Sequence, residues 1–198
     1  MKNSELLKTE WFKIFNIPND LILVDDKVRE RNNRNVRVLR FQKKEPMKLG
    51  KPHATFVIGE MTGNLISYNS FIMRQIKINF SEKQAVDTAI KIFQMIVPEY
   101  YKALRYVRTD MPERKFIDVN GKSIIQNIYW VKFIHQNGSY SWIGFAQDGT
   151  IEEFEIDSRW DFYTMRRGTE MWFHDDWVKA FKGEGPQMNR PNALAINV

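Results

Sequence analysis

Two dipeptides constrain the second half of this chain more tightly than any other feature of it. Asn137-Gly138 and Asp148-Gly149 separate three apolar runs, at residues 128–134, 140–145 and 151–156. Both dipeptides supply the positive φ angles of a type I′ turn, whose twist matches that of the strands it joins. The spacing therefore predicts three strands in an antiparallel meander. Upstream, Met61-Thr62-Gly63-Asn64 lies between apolar runs at 53–58 and 65–68 and predicts a further hairpin. Runs at 21–24, 36–41 and 103–107 predict additional short strands. Residues 71–80 predict another, because Ile76, Ile78 and Phe80 alternate with Gln75, Lys77 and Asn79.

Two segments carry the helical period instead. Over residues 4–15, Leu7, Trp11, Ile14 and Phe15 fall on one face, with Asn3 or Ser4 as the cap and Asn16-Ile17-Pro18 as the stop. Residues 81–96 open with Ser81-Glu82-Lys83-Gln84, a capping box, and continue with an apolar stripe of Ala85, Ala89, Ile92, Phe93 and Ile96. Pro98 ends that helix.

The order of elements repeats. Phe12-Lys13-Ile14-Phe15 in the first helix matches Ile90-Lys91-Ile92-Phe93 in the second. Residues 62–68, TGNLISY, match residues 148–154, DGTIEEF, at the later hairpin. Each half thus reads as a helix followed by an antiparallel meander, an α+β layer in which one face of the sheet is buried by the helix. The division is residues 1–80, residues 81–158, and a C-terminal extension at 159–198. The motifs Trp11-Phe12-x-x-Phe15-x-Ile17-Pro18, Thr62-Gly63-x-Leu65-Ile66-Ser67-Tyr68 and Ser81-x-x-x-Ala85-x-x-x-Ala89, in this order, resemble PepSY-type proteins. Within these they are most similar to the YcdB/YcdC repeat proteins of Gram-positive bacteria, over roughly residues 4–157. The resemblance implies two tandem PepSY-like units and a non-catalytic role, and PepSY modules have been proposed to restrain peptidases.

The extension fits no part of the repeat. It concentrates Trp160, Phe162, Tyr163, Trp172, Phe173, Trp177 and Phe181, the last three at helical spacing. This stripe either covers an open sheet face or forms a partner-binding patch, since Trp anchors interfaces. After Gly183 the composition is loop-like, and Pro191 argues against a closing helix.

Composition excludes several chemistries. The chain of 198 residues has no cysteine, which removes disulfides, iron–sulfur clusters, thiolate zinc and thiol catalysis. No apolar run approaches the roughly 20 residues of a membrane-spanning helix. The first dozen residues hold two carboxylates and no apolar block, so the expectation is a cytoplasmic protein without a signal peptide. His53, His135 and His174 lack metal-ligand spacing, and His174-Asp175-Asp176 reads as an acidic turn. Glu153 and Glu155 share a strand face and read as a solvated surface. No motif calls for a catalytic residue, a metal or a cofactor.

Charge is distributed unevenly. Ten basic residues lie between Lys27 and Lys51 against Glu30 and Glu45, whereas acidic residues dominate from Asp148 to Asp176. The two segments can attract each other within the molecule or between copies. Nucleic acid is disfavoured, for no recognition motif or stacking platform accompanies the cluster. On a strand over 36–41, alternation sets Arg37 on the face of Leu39 and Phe41, opposite Val36 and Val38. The leading expectation is a module binding an unidentified protein or peptide, acidic if the basic segment steers it. Its candidate contacts are Arg34, Arg37, Lys43, Lys44, Trp172 and Trp177. The alternatives are a structural or self-associating protein and, more weakly, an enzyme with a cleft between the halves.

Overall fold

A computed structural model describes residues 9–44, 46–75, 77–118 and 120–196. The first helix, α1 (Glu10–Lys13), continues as a turn through Phe15; positions 3–8 of the expected helix and its cap lie outside the described residues. Four strands follow: β1 (Ile22–Arg31), β2 (Arg34–Gln42), β3 (Ala54–Gly59) and β4 (Leu65–Ser70). The second helix, α2 (Glu82–Ile96), has Ser81 as its cap, and the reciprocal hydrogen bonds with Gln84 are both present. A single turn, α3 (Pro98–Tyr101), leads into β5 (Leu104–Asp110). Then come β6 (Glu113–Ile117), β7 (Ser123–Asn127), β8 (Tyr129–His135), β9 (Tyr140–Phe145) and β10 (Ile151–Ser158).

Eight of these strands form one sheet in the order β1-β2-β3-β4-β10-β9-β8-β5. Every neighbouring pair is antiparallel. The two glycine-led strands of the repeat, β4 and β10, meet at the centre, with Phe154 opposite Tyr68 and Glu155 opposite Ser67. Gly63 and Gly149, which precede them, both adopt positive φ. The two helix-then-meander stretches therefore build one continuous sheet over one core. Phe15 of the first and Phe93 of the second are fully buried on the same sheet face, and both rings approach Phe154. Leu39, Phe41, Phe56, Phe133 and Phe145 complete that layer.

Three expectations change. Residues 71–80 are not a strand: Ile72 makes one isolated bridge to Ile117, and Asn79 and Phe80 both donate to the carbonyl of Gln147. Ile78 is 78% exposed, so the alternation there does not mark a buried face; Ile76 lies outside the described residues. The segment is a connector that carries the chain from β4 to the start of α2. Next, β1 runs far beyond 21–24, to a hairpin in which Asn32 and Asn33 both have positive φ. As an edge strand with a largely exposed, charged sequence, it lacks the apolar alternation that would announce its length. Finally, the hairpin β6-β7 was not anticipated. Its turn is held by the Asp118 carboxylate, which accepts from the amides of Asn120 and Lys122, and by Gly121 at positive φ.

The extension begins with a small hairpin, β11 (Trp160–Asp161) and β12 (Arg166–Arg167), and ends in α4 (Asp175–Phe181) and a loop. It packs on the sheet face opposite the helices. Trp172, Phe173, Trp177 and Ala180 bury Val36, Val38 and Val57 of β2 and β3, and Ala193 and Ala195 of the terminal loop close the cluster. Phe173 sits just before α4, and the Trp177 and Phe181 rings stack at 5.4 Å. Among the described residues no helix is long and apolar enough to cross a membrane.

Candidate functional site: the outer face of the sheet

Strand alternation sends one set of side chains toward the helices and the other toward the extension. On the second face, charged residues occupy positions that an all-apolar layer would fill. Glu155, fully buried at the sheet centre, accepts from Arg31 and Arg167 through Oε1, each at 2.7 Å, and from the Ser67 hydroxyl through Oε2 at 2.8 Å. Asp175, at the start of α4, takes a bidentate contact from Arg40 at 2.6 and 3.0 Å, and its Oδ2 also accepts from the Gly50 amide. Burial alone would raise the Asp175 carboxyl, but the neighbouring His53 and Arg40 outweigh it and hold the group below its ordinary range. His53 lies beneath this pair, and burial, assisted by Arg40, pushes its imidazole down to about 4. The basic early segment and the acidic late one do attract each other within the molecule, through Arg31 and Arg40.

The extension covers β2 and β3 but leaves part of the same face open over β10, β9 and β8. There the sheet floors a cavity of about 420 Å³, within the range of ligand pockets. Trp130 and Lys132 of β8 and Tyr140 and Trp142 of β9 share this face, opposite the core residues Val131, Phe133 and Ile143. The Trp130 and Trp142 rings meet edge to face at 5.3 Å. Trp142 Nε1 donates to Glu153 Oε2 at 2.8 Å, and Glu153 also pairs with Arg114 from β6. Arg114 in turn lies over the Phe71 ring at 4.6 Å. One wall is thus the β6 strand, and the other is the extension, through Trp160, Phe173 and Pro191.

Lys132 is the most exacting residue of the floor. Its ammonium sits 5.2 Å from the centre of the Trp130 ring and 4.2 Å from that of Tyr140. Half-burial, with the positive charge of Arg108 beside it, lowers its pKa. On the helix face, Glu152 of β10 is buried next to Tyr68, with Arg74 Nε 4.0 Å from its Oε1, and burial pushes its carboxyl up to about 7.

The residues singled out from the sequence lie elsewhere. Trp172 and Trp177 come together with ring centres 4.8 Å apart, but in the second core, 8% and 1% exposed. Packed over β2 and β3, they offer little contact area in this fold. Arg37 lies on the helix side of β2 and forms a two-point contact with Asp26 of β1. Lys43 pairs with Asp20 at 2.7 Å, and Lys44 is exposed in the loop that follows β2. Arg34 is exposed at the opposite end of that strand, roughly 25 Å away at about 3.3 Å per residue. It lines a second cavity, of about 800 Å³, together with Glu60, His135 and Asp157. That cavity lies among strand ends and the turns that join them, whereas the 420 Å³ cavity is floored by three adjacent strands, β8 to β10, that fix its side chains. Glu153 and Glu155, read from the sequence as solvated, are both covered: Glu153 largely, beside Arg114 of β6 and the Trp142 indole, and Glu155 fully, beneath Arg167 of the extension. The floor residues had one available signal, the shared parity of Trp130 and Lys132 with Tyr140 and Trp142 across the Asn137-Gly138 turn. Among the described residues, no group of three or more His, Asp or Glu side chains is arranged to hold a metal.

Residues 4–133, roughly two thirds of the chain, match the family described as the YcdB, YcdC repeated domain. The chain belongs to that family. No curated protein and no solved structure matches it. The YcdB/YcdC match takes in β1 to β7 and ends inside β8. Trp130, Lys132 and Arg114 of the cavity fall within it, while Trp142, Glu153 and the whole extension lie beyond.

Proposed function

We propose that this YcdB/YcdC-repeat protein is a non-catalytic peptide- or protein-binding module whose ligand segment seats in the 420 Å³ cavity. One observation carries the reading. The extension seals the outer face over β2 and β3, yet over β8 to β10 the same face lines an open cavity with the half-buried Trp130, Tyr140 and Lys132, backed by the buried Trp142. Rigid aromatic anchors of this kind dominate the energetics of protein interfaces, because they contribute large contact area with few rotatable bonds. Glu153, Arg114 and Arg167 satisfy one another or their neighbours and act as the fixed polar frame around that aromatic surface. The restraint of a peptidase, implied by the PepSY resemblance, is the more specific form of this reading. In it, a surface segment of the peptidase would be the occupant. Two fused PepSY-like units, joined at β4 and β10, would be the scaffold that presents the surface.

The test is to pan a displayed library of random twelve-residue peptides on the full chain and measure enriched clones against Trp130→Ala and Trp142→Phe. The expected result is clones whose affinity falls at least about tenfold in Trp130→Ala, the loss of one aromatic anchor. Enrichment of no clones, or only of clones that bind Trp130→Ala as well as the parent, overturns the reading.

A further inference from the structure

Resting on that peptide-binding reading, we infer that the cavity selects an acidic segment, with a ligand carboxylate meeting Lys132 while an adjacent apolar or aromatic side chain lies on Trp130. The contrast among the cations of this sheet face carries the argument. Arg31 and Arg167 share Glu155, Arg40 holds Asp175, and Arg114 holds Glu153. Lys132 differs. Among the described residues no carboxylate lies within ion-pair distance of its ammonium, which two aromatic rings flank instead. Arg108, opposite Lys132 across the β5–β8 ladder, is engaged by Asp110, whose charge reaches Lys132 only as a weaker attraction from beyond ion-pair distance.

A lysine held against ring faces keeps its stem packed and its donors directed to one side. Partial desolvation leaves those donors short of water and strengthens any anion that reaches them. The rest of the cavity fits the same sign. Arg159, at its edge, also has no carboxylate partner among the described residues, and Lys115 lies on the β6 wall. Of the two lining carboxylates, Glu153 is consumed by Arg114 and the Trp142 indole, which leaves Glu113 as the one opposing charge. The free charge lining the site is therefore positive, next to aromatic surface, and an acidic peptide with an apolar residue beside its carboxylate is complementary to both.

Two displayed libraries separate this inference from the reading beneath it. Each randomises the flanks of a fixed core, Glu-Trp-Glu in one and Gln-Trp-Gln in the other, and both are panned on the full chain at physiological salt. Affinities of synthetic peptides from each are then measured by fluorescence anisotropy on the parent, Lys132→Met, Lys132→Arg and Trp130→Ala. The expected result is enrichment of the Glu core, with affinity at least about tenfold lower in Lys132→Met and largely restored in Lys132→Arg, as for a charge-assisted contact. Methionine retains the length of the stem, and near-parental melting of Lys132→Met and Lys132→Arg assigns the loss to charge. Should either variant misfold, the Glu-core peptide against its Gln twin on the parent chain decides the matter alone. If both cores bind the parent equally and lose affinity in Trp130→Ala, the acidic preference fails while the peptide-binding cavity stands. If neither core yields binding sensitive to Trp130, both fail together.

Discussion

Replacing Glu152 by glutamine isolates the cost of a carboxylate buried on the helix side of β10. The side chain is almost fully buried, with Arg74 at 4.0 Å, and its pKa rises from an ordinary 4.5 to about 7. A raised carboxyl means that the folded chain holds a proton which the unfolded chain releases. The contribution is fully present below about pH 4.5 and is lost as pH rises toward and through 7. The gap of about 2.5 pH units corresponds to about 3 kcal/mol at 1.36 kcal/mol per unit. Glutamine mimics the neutral acid and pays no such penalty. The stability of Glu152→Gln relative to the parent should therefore increase by about 2 to 3 kcal/mol between about pH 5 and about pH 8. Urea titrations followed by tryptophan fluorescence at four pH values across that interval measure it, and the other titrating groups cancel in the difference. A difference that stays constant within about 0.5 kcal/mol would mean that Glu152 is ionised in the folded protein throughout, with Arg74 compensating its burial, and the reasoning would fail.

The acid side should behave oppositely. Burial lowers His53 to about 4, so the parent loses stability as pH falls from about 6.5 toward 4, and His53→Gln should flatten that slope in the same titrations. Glu155→Ala should destabilise the fold by about 3 to 5 kcal/mol, since it leaves the guanidinium groups of Arg31 and Arg167 buried without their carboxylate; a loss under about 1 kcal/mol would show that water reaches them. Phe93→Ala, which removes a fully buried ring contacting Phe133 and Phe154, should cost about 3 to 5 kcal/mol in urea, and a value below about 1 would contradict its burial.

What the sequence discloses and what it conceals follow from the range of the interactions. The capping box at Ser81 and the Asn137-Gly138 turn are satisfied within four residues, and α2 and β9 lie where those signals set them. Only the glycine of Asn137-Gly138 and of Asp148-Gly149 takes positive φ, however, so neither turn has the expected type I′ geometry. The hydrophobic parity of β2 is legible for the same reason, with Leu39 and Phe41 in one core and Val36 and Val38 in the other. Residues 71–80 mislead because alternation indicates a strand only where a partner strand exists, and there Ile78 faces solvent. The β1-β2 turn escapes notice because Asn32-Asn33 lacks the glycine that announces such turns, although both residues adopt the positive φ that asparagine tolerates. The cavity is the least legible feature. Its floor is a matter of strand parity, but its openness depends on where the extension stops covering the sheet. The charged segments show the same limit: their attraction is visible in composition, whereas the selection of Arg31 and Arg40 over Arg37 depends on which strand face meets the extension.

The Glu155 cluster also dictates an order of events during synthesis. Arg31 lies 124 residues upstream of the carboxylate that neutralises it. At about 5 to 20 residues per second, a ribosome takes roughly 6 to 25 seconds to cover that interval. Throughout it, the β1-β2 hairpin carries an uncompensated guanidinium and, beside it, the bare Val36, Val38 and Val57 surface that only the still later residues 171–195 will cover. The central strand arrives after the edge it must neutralise, and the cover arrives later still. A nascent chain of this design keeps that surface bare until residues 171–195 have emerged, and any holdase that protects it has the outer face of β2 and β3 as its natural target.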